Sequence, residues 1–174
     1  MKPIILPFKG VTPKIDETAF VAPGASVLGD VEIGENSSVW FSCVLRGDVD
    51  VIRIGKNTNI QDGTIVHLSR NAPTIVGDNV TVGHAAVLHG CTIEDQAFVG
   101  MGATLLDGAV LEKGSMLAAG SLLTNNKRVP AGQLWAGSPA KYMRDLTPEE
   151  IEGFLPHAAN YVELSRQYKQ ENGF

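Results

Sequence analysis

Aliphatic residues recur along this chain with a period of six. The beat falls on Val21, Val27, Ile33, Val39 and Leu45, then on Ile54, Ile60 and Val66, then on Val76, Val82 and Leu88. It continues through Val99, Leu105, Leu111, Leu117, Leu123 and Val129. Four residues after a beat the side chain is small or β-branched, as at Ala25, Ser37, Cys43, Thr64, Ala86, Ala103 and Ser121. A fixed short period of this kind marks a hexapeptide β-helix, a thin prism with one aliphatic and one small inward position per hexad. The pattern predicts an all-β fold with the β-helix over residues 19–135, after a lead-in over 1–18 with strand character around Ile4–Leu6. Residues 136–174 are expected to form an exit segment and a helical tail. Thr147, Pro148 and Glu150 read as a capped helix start. Pro156 is expected to end that short helix or to begin a second one reaching about Gln170. The apolar stripe Ile151, Phe154, Leu155, Ala158, Tyr161 and Val162 is expected to pack along a side of the prism.

The beat breaks in three places: between Leu45 and Ile54, between Val66 and Val76, and between Leu88 and Ile93. All three breaks surround His67, His84 and His89, so the site is expected there. Three beats make one coil, and coils stack about 4.8 Å apart. Counting coils puts Leu88 over Val66, hence His89 over His67, with Arg46 beneath His67 in the same column. It also puts Val82 over Ile60, hence His84 over Asp62 with Gln61 alongside. Two imidazole nitrogens on one tetrahedral zinc lie about 3.3 Å apart, a distance that stacked side chains can reach by leaning together. His84 points from a different side of the prism. Three prisms packed side to side would bring the His84 face of one onto the His67/His89 face of the next. That heterologous contact closes into a ring, so a homotrimer with three shared sites is expected. His157 is expected to be a surface helix residue.

Composition narrows the picture further. Aromatic residues make up only 6%, while 19 Gly and 9 Pro suit a narrow solenoid that turns a corner every few residues. The net charge of −5, from 14 basic and 19 acidic residues, argues against nucleic acid or an anionic membrane as the partner. No stretch is long and apolar enough to cross a bilayer, and the start MKPIILPFKG does not read as a signal peptide. Cys43 and Cys91 lie far apart and read as structural thiols of a reducing compartment, with the cytoplasm as the expected location.

The motifs LRGD (Leu45–Asp48), NIQDG (Asn59–Gly63), the lone His67 after Asp62, and VGHAAVLHG (Val82–Gly90) carry a resemblance. With them the chain resembles the γ-class carbonic anhydrases and their close hexapeptide relatives over nearly its whole length. The resemblance implies a left-handed parallel β-helix assembled as a homotrimer. It implies zinc, with iron or cobalt as alternatives, held by His67 and His89 of one subunit and His84 of the next. By position, Asn59 and Gln61 would bond the water at the metal, Arg46 and Asp48 would pair across the interface, Asp62 would orient nearby groups, and Tyr161, with Asn160, would reach the site. The implied reaction is reversible hydration of CO2 to bicarbonate by hydroxide generated at the metal. Two departures stand out: Val49 occupies a position where a glutamate is expected, and Leu68–Pro73 carries no carboxylate where an acidic proton-shuttle loop is expected. Two other readings stay open. One is a metal-stabilised trimer without anhydrase activity, serving as a scaffold or subunit. The other is a hexapeptide acyltransferase using coenzyme A, since the segment WAGSPAK occurs in such enzymes too.

Overall fold

One inward aliphatic residue per hexad sets the architecture. The computed structural model describes residues 2–173 as a parallel β-helix of about seven turns followed by a single C-terminal helix. Every beat from Val27 to Val129 is 4% exposed or less, and only Val21, near the open end, is half-buried. The coils stack in the expected register: Leu45 pairs with Val66, Val66 with Leu88, and Leu88 with Leu105. The small inward positions are buried as well. Their hydroxyls are hydrogen-bonded: Ser37 Oγ donates one coil on to the Gly55 carbonyl at 2.6 Å, Thr58 Oγ1 one coil on to the Gly77 carbonyl at 2.7 Å, and Ser115 Oγ within its own coil to the Glu112 carbonyl at 2.6 Å.

The long strand Val44–Ile54 turns an edge of the prism. Its first half pairs with Ile65–His67 and its second half with Thr74–Val76. A separate sheet runs through Phe20–Val21, Ser38–Val39, Asn59–Ile60, Thr81–Val82 and Phe98–Val99 and makes the remaining face. The lead-in supplies Ile4–Leu6, parallel to Ser26–Leu28, and Lys14–Ile15, parallel to Glu32–Ile33. The exit segment is an antiparallel hairpin, Gln133–Gly137 against Ala140–Asp145. Corners stack so closely that a Cβ added at Gly100 would sit 2.3 Å from the Ala119 nitrogen.

The C-terminal helix, Pro148–Asn172, starts with the expected capping box: Thr147 accepts from the Glu150 N–H while the Glu150 side chain reaches back to the Thr147 N–H. The expectation for Pro156 is corrected. It lies inside one unbroken helix, on the exposed side together with Glu152. The carbonyl it leaves without an intrahelical donor is that of Glu152, which can be hydrated, so the cost stays local. The helix packs on its own prism, over Phe20–Val21, Ser38–Val39, Asn59–Ile60 and Thr81–Val82, and buries Phe154, Ala158, Val162 and Ser165. Leu155, expected in the stripe, faces solvent. Trp40 anchors the contact, with ring centroids 5.2 Å from Phe20, 5.5 Å from Tyr161 and 5.3 Å from Tyr168. Among the described residues no helix is long and apolar enough to cross a membrane.

Candidate metal centre

His67 closes the strand Ile65–His67 and His89 closes Val87–His89, and the two residues pair directly across the coils. Their rings lean together until His67 Nδ1 lies 3.2 Å from His89 Nε2. The other nitrogen of each ring meets a carboxylate: His67 Nε2 lies 3.0 Å from Asp48 Oδ1, and His89 Nδ1 lies 2.6 Å from Asp107 Oδ1. Asp107 is held below the usual carboxylate range by hydrogen bonds from Ser69 and His89. Burial works against ionisation of Asp48, but hydrogen bonds from His67 and Arg46 still hold it below that range. Two ionised carboxylates accept and cannot donate. When both rings are neutral, each places its N–H on its aspartate, and two lone pairs would then face each other at 3.2 Å. Only a cation between them, a proton or a metal ion, makes that approach favourable. The spacing matches the roughly 3.3 Å expected of two nitrogens on one tetrahedral zinc, and a carboxylate behind a ligating histidine is the usual outer arrangement. The residues present fit a metal.

The backbone around the pair is tied in place. The buried Thr74 hydroxyl donates to the His67 carbonyl at 2.6 Å and accepts from the Gly90 N–H at 3.0 Å. Gly90 has φ of +58°, and a Cβ there would lie 2.4 Å from Asp107 Oδ1. A side chain at this position would block the carboxylate's approach to His89.

His84 follows the strand Thr81–Val82 on the other sheet, with its Nδ1 2.9 Å from Asp62 Oδ2. Asp62 is itself steadied by the Phe41 N–H at 3.3 Å. Among the described residues of one chain, no three His, Cys, Asp or Glu side chains converge as a metal-binding group. The structure thus brings His67 and His89 together and leaves His84 apart, as the coil count had it.

The remaining candidates divide between the two faces. Arg46 and Asp48 form an ion pair within the chain. Asn59 and Gln61 are 1% and 3% exposed, with Gln61 Nε2 donating to Asn59 Oδ1 at 3.0 Å. Tyr161 lies on the Asp62 side, its phenol pushed above its ordinary value by burial and then by the Asp62 charge. His157 is not a free surface residue as expected: it is half-buried, with Nδ1 3.1 Å from Thr81 Oγ1. Val49 is exposed, and the loop after His67 is closed by a bridge between Ser69 and Ala72. Sequence reasoning missed Asp107 and Thr74. The signal for Asp107 was its place one coil on: Leu88 pairs with Leu105, so His89 stands opposite Leu106, and Asp107 is the next residue along.

Known proteins resemble this chain in sequence and fold. The family model described as the hexapeptide repeat of succinyl-transferase matches residues 73–107 and 91–125. The probable carbonic anhydrase of Methanocaldococcus jannaschii is 57% identical over 151 residues, covering 87% of this chain and 95% of that protein. Gamma carbonic anhydrase 2, mitochondrial, of Arabidopsis thaliana is 57% identical over 167 residues and covers 92% of this chain, which spans only 60% of that plant protein's length. The crystal structure of a hexapeptide transferase family protein from Anaplasma phagocytophilum superposes with a TM-score of 0.92 at 53% identity, covering 95% of this chain and 98% of that one.

Proposed function

The chain belongs to the γ-class carbonic anhydrase family, and from that premise we propose that it catalyses the reversible hydration of CO2 to bicarbonate at metal sites shared between the subunits of a homotrimer. The observation that carries this reading is the approach of His67 Nδ1 to His89 Nε2, 3.2 Å apart with an aspartate behind each ring. His67 and His89 would hold the ion, zinc by preference, with iron or cobalt as the other candidates. The third nitrogen would come from His84 of the partner subunit, because His84 of the same chain stands on a different sheet. Exposed apolar side chains support the assembly: Leu6, Val49 and Ile65 lie on the His67 side of the prism, and Met101 lies one coil beyond His84. The buried free thiols Cys43 and Cys91 fit a reducing compartment such as the cytoplasm.

The metal, when bound, supplies Lewis acidity that makes hydroxide available near neutral pH. The protein's own residues do the rest. Asp48 and Asp107 fix the tautomers of His67 and His89, so that each offers a lone pair rather than an N–H. Arg46 holds Asp48 in place. Asp62 does for His84 what Asp107 does for His89. Gln61 offers its amide at the rim of the site, and Asn59, whose side chain is fully bonded within the chain, acts by holding Gln61.

A second reading, a metal-bound trimer without useful hydration, draws on one observation. Val49 and the Ser69–Pro73 loop offer no carboxylate to carry the proton away. Stopped-flow CO2 hydration by the metal-loaded protein separates the two. Turnover well above that of free metal in the same buffer, lost in His89→Ala, is the expected result. Turnover no better than free metal establishes the second reading instead.

A further inference from the structure

Beneath the C-terminal helix a run of buried polar side chains links two coils. Gln61 Nε2 donates to Asn59 Oδ1 at 3.0 Å, and Asn59 Nδ2 donates to Thr81 Oγ1 at 3.0 Å and to the Val80 carbonyl at 3.4 Å. Thr81 Oγ1 in turn lies 3.1 Å from His157 Nδ1. Asn59, Gln61 and Thr81 are each 3% exposed or less. The imidazole is wedged between Phe98 and Tyr161, with ring centroids 5.2 and 5.6 Å away.

The direction of the run follows from donor and acceptor chemistry. A backbone carbonyl only accepts, so the amide nitrogen of Asn59 faces Val80 and its oxygen faces Gln61. Gln61 must then turn its NH2 inward and its Oε1 outward. Thr81 Oγ1 accepts from Asn59 and has one proton to give, which His157 Nδ1 can take when the ring is neutral. Burial pushes the His157 pKa down and favours that neutral form. Gln61 Oε1 takes no hydrogen bond from the described residues, and none of their buried side-chain polar atoms lacks a partner, so Oε1 keeps some contact with solvent although the residue as a whole is buried. It sits next along the chain from Asp62, the carboxylate that meets His84.

We propose that His157 is a positioning residue, acting through Thr81 and Asn59 to hold the Gln61 amide with its oxygen turned to the site. There the oxygen accepts a hydrogen bond from a proton-bearing ligand, water or hydrogencarbonate. CO2 has no proton to offer, so the effect falls on turnover rather than on CO2 capture. The identity of the ligand rests on the anhydrase reading; the hydrogen-bonded run does not. Without His157 the Thr81 proton is free to turn toward Asn59, and only the long 3.4 Å contact to the Val80 carbonyl still favours one orientation, so the Asn59 and Gln61 amides can flip and Gln61 can present its NH2 instead.

The test uses the assembled, metal-loaded protein and the variants His157→Asn, which keeps an acceptor, His157→Phe and Thr81→Val, which do not. Two quantities are read: hydrogen exchange of the Gln61 side-chain amide by NMR, and kcat and KM for CO2 hydration. His157→Asn should keep the amide protected and hold kcat within about twofold of the parent. His157→Phe and Thr81→Val should lose the protection and lower kcat about fivefold with KM little changed, the loss expected of one hydrogen bond. Should the Phe variant not fold, Thr81→Val carries the comparison. Unchanged Gln61 protection in the acceptor-less variants overturns the proposal. So does an equal loss of kcat in His157→Asn and His157→Phe that free imidazole restores, because the ring would then be a proton carrier. If the parent protein shows no hydration at all, the exchange comparison still decides the role of His157, and only the anhydrase reading falls.

Discussion

Replacing Asp107 by alanine removes the carboxylate behind His89. The Oδ1–Nδ1 contact is 2.6 Å, a short charge-assisted hydrogen bond, and it decides which nitrogen of His89 keeps a lone pair for the ion. Outer-sphere partners of this kind typically contribute 10- to 100-fold to metal affinity, roughly. Asp107 is 32% exposed, and solvent screens part of its charge, so the lower end applies. Asp107→Ala is therefore expected to weaken zinc binding about tenfold, or about 1.4 kcal/mol. Asp107→Asn retains an oxygen that can accept from Nδ1 and loses only the charge, so about threefold is expected. Competition against a chromophoric chelator measures both, with circular dichroism of the metal-free variants to confirm that the coil is intact. An affinity for Asp107→Ala within twofold of the parent would refute the role given to this carboxylate.

Other expectations test the scaffold and the tail. Leu88→Ala empties a fully buried inward position next to His89 and should cost about 3 kcal/mol in urea unfolding; a loss below about 1 kcal/mol would mean that the coil collapses around the gap. Hydrogen bonds from Arg144 and from the Thr147 N–H hold the Glu150 carboxyl down to about 2 from 4.5. The unfolded chain takes up that proton first, so the stability from Glu150 is whole above 4.5 and drains away as pH falls toward 2. The urea midpoints of the parent and Glu150→Gln should differ at neutral pH and converge in that acid window; parallel curves would contradict the assignment.

Much of the fold was legible because a solenoid repeats one local rule. The beat at Val66 and Leu88 fixed which side chains face inward, and counting three beats per coil was enough to stack His89 on His67 and His84 on Asp62. The tail was less legible. Pro156 suggests a break when read locally, yet its exposed position lets water take the freed carbonyl, and packing of Phe154, Ala158 and Val162 holds the helix through it. The contacts of Asp107 and His157 were not legible for a different reason. Neither sits in a motif, and each reaches its partner across coils or from the helix, through contacts that only the folded backbone brings together. Asp107 could have been found by counting one coil past His89, to Leu106 opposite it and the residue next along. His157, 76 residues from Thr81, had no such signal.

Anomalous diffraction at the zinc edge, on crystals of the assembled protein grown with zinc, decides whether one ion is shared between subunits. One peak at each of three interfaces is expected, about 2.0–2.1 Å from nitrogens of His67 and His89 and of His84 of the partner subunit. Zinc-replete crystals without a peak at those interfaces, or with a peak bound by the histidines of a single chain, would contradict it.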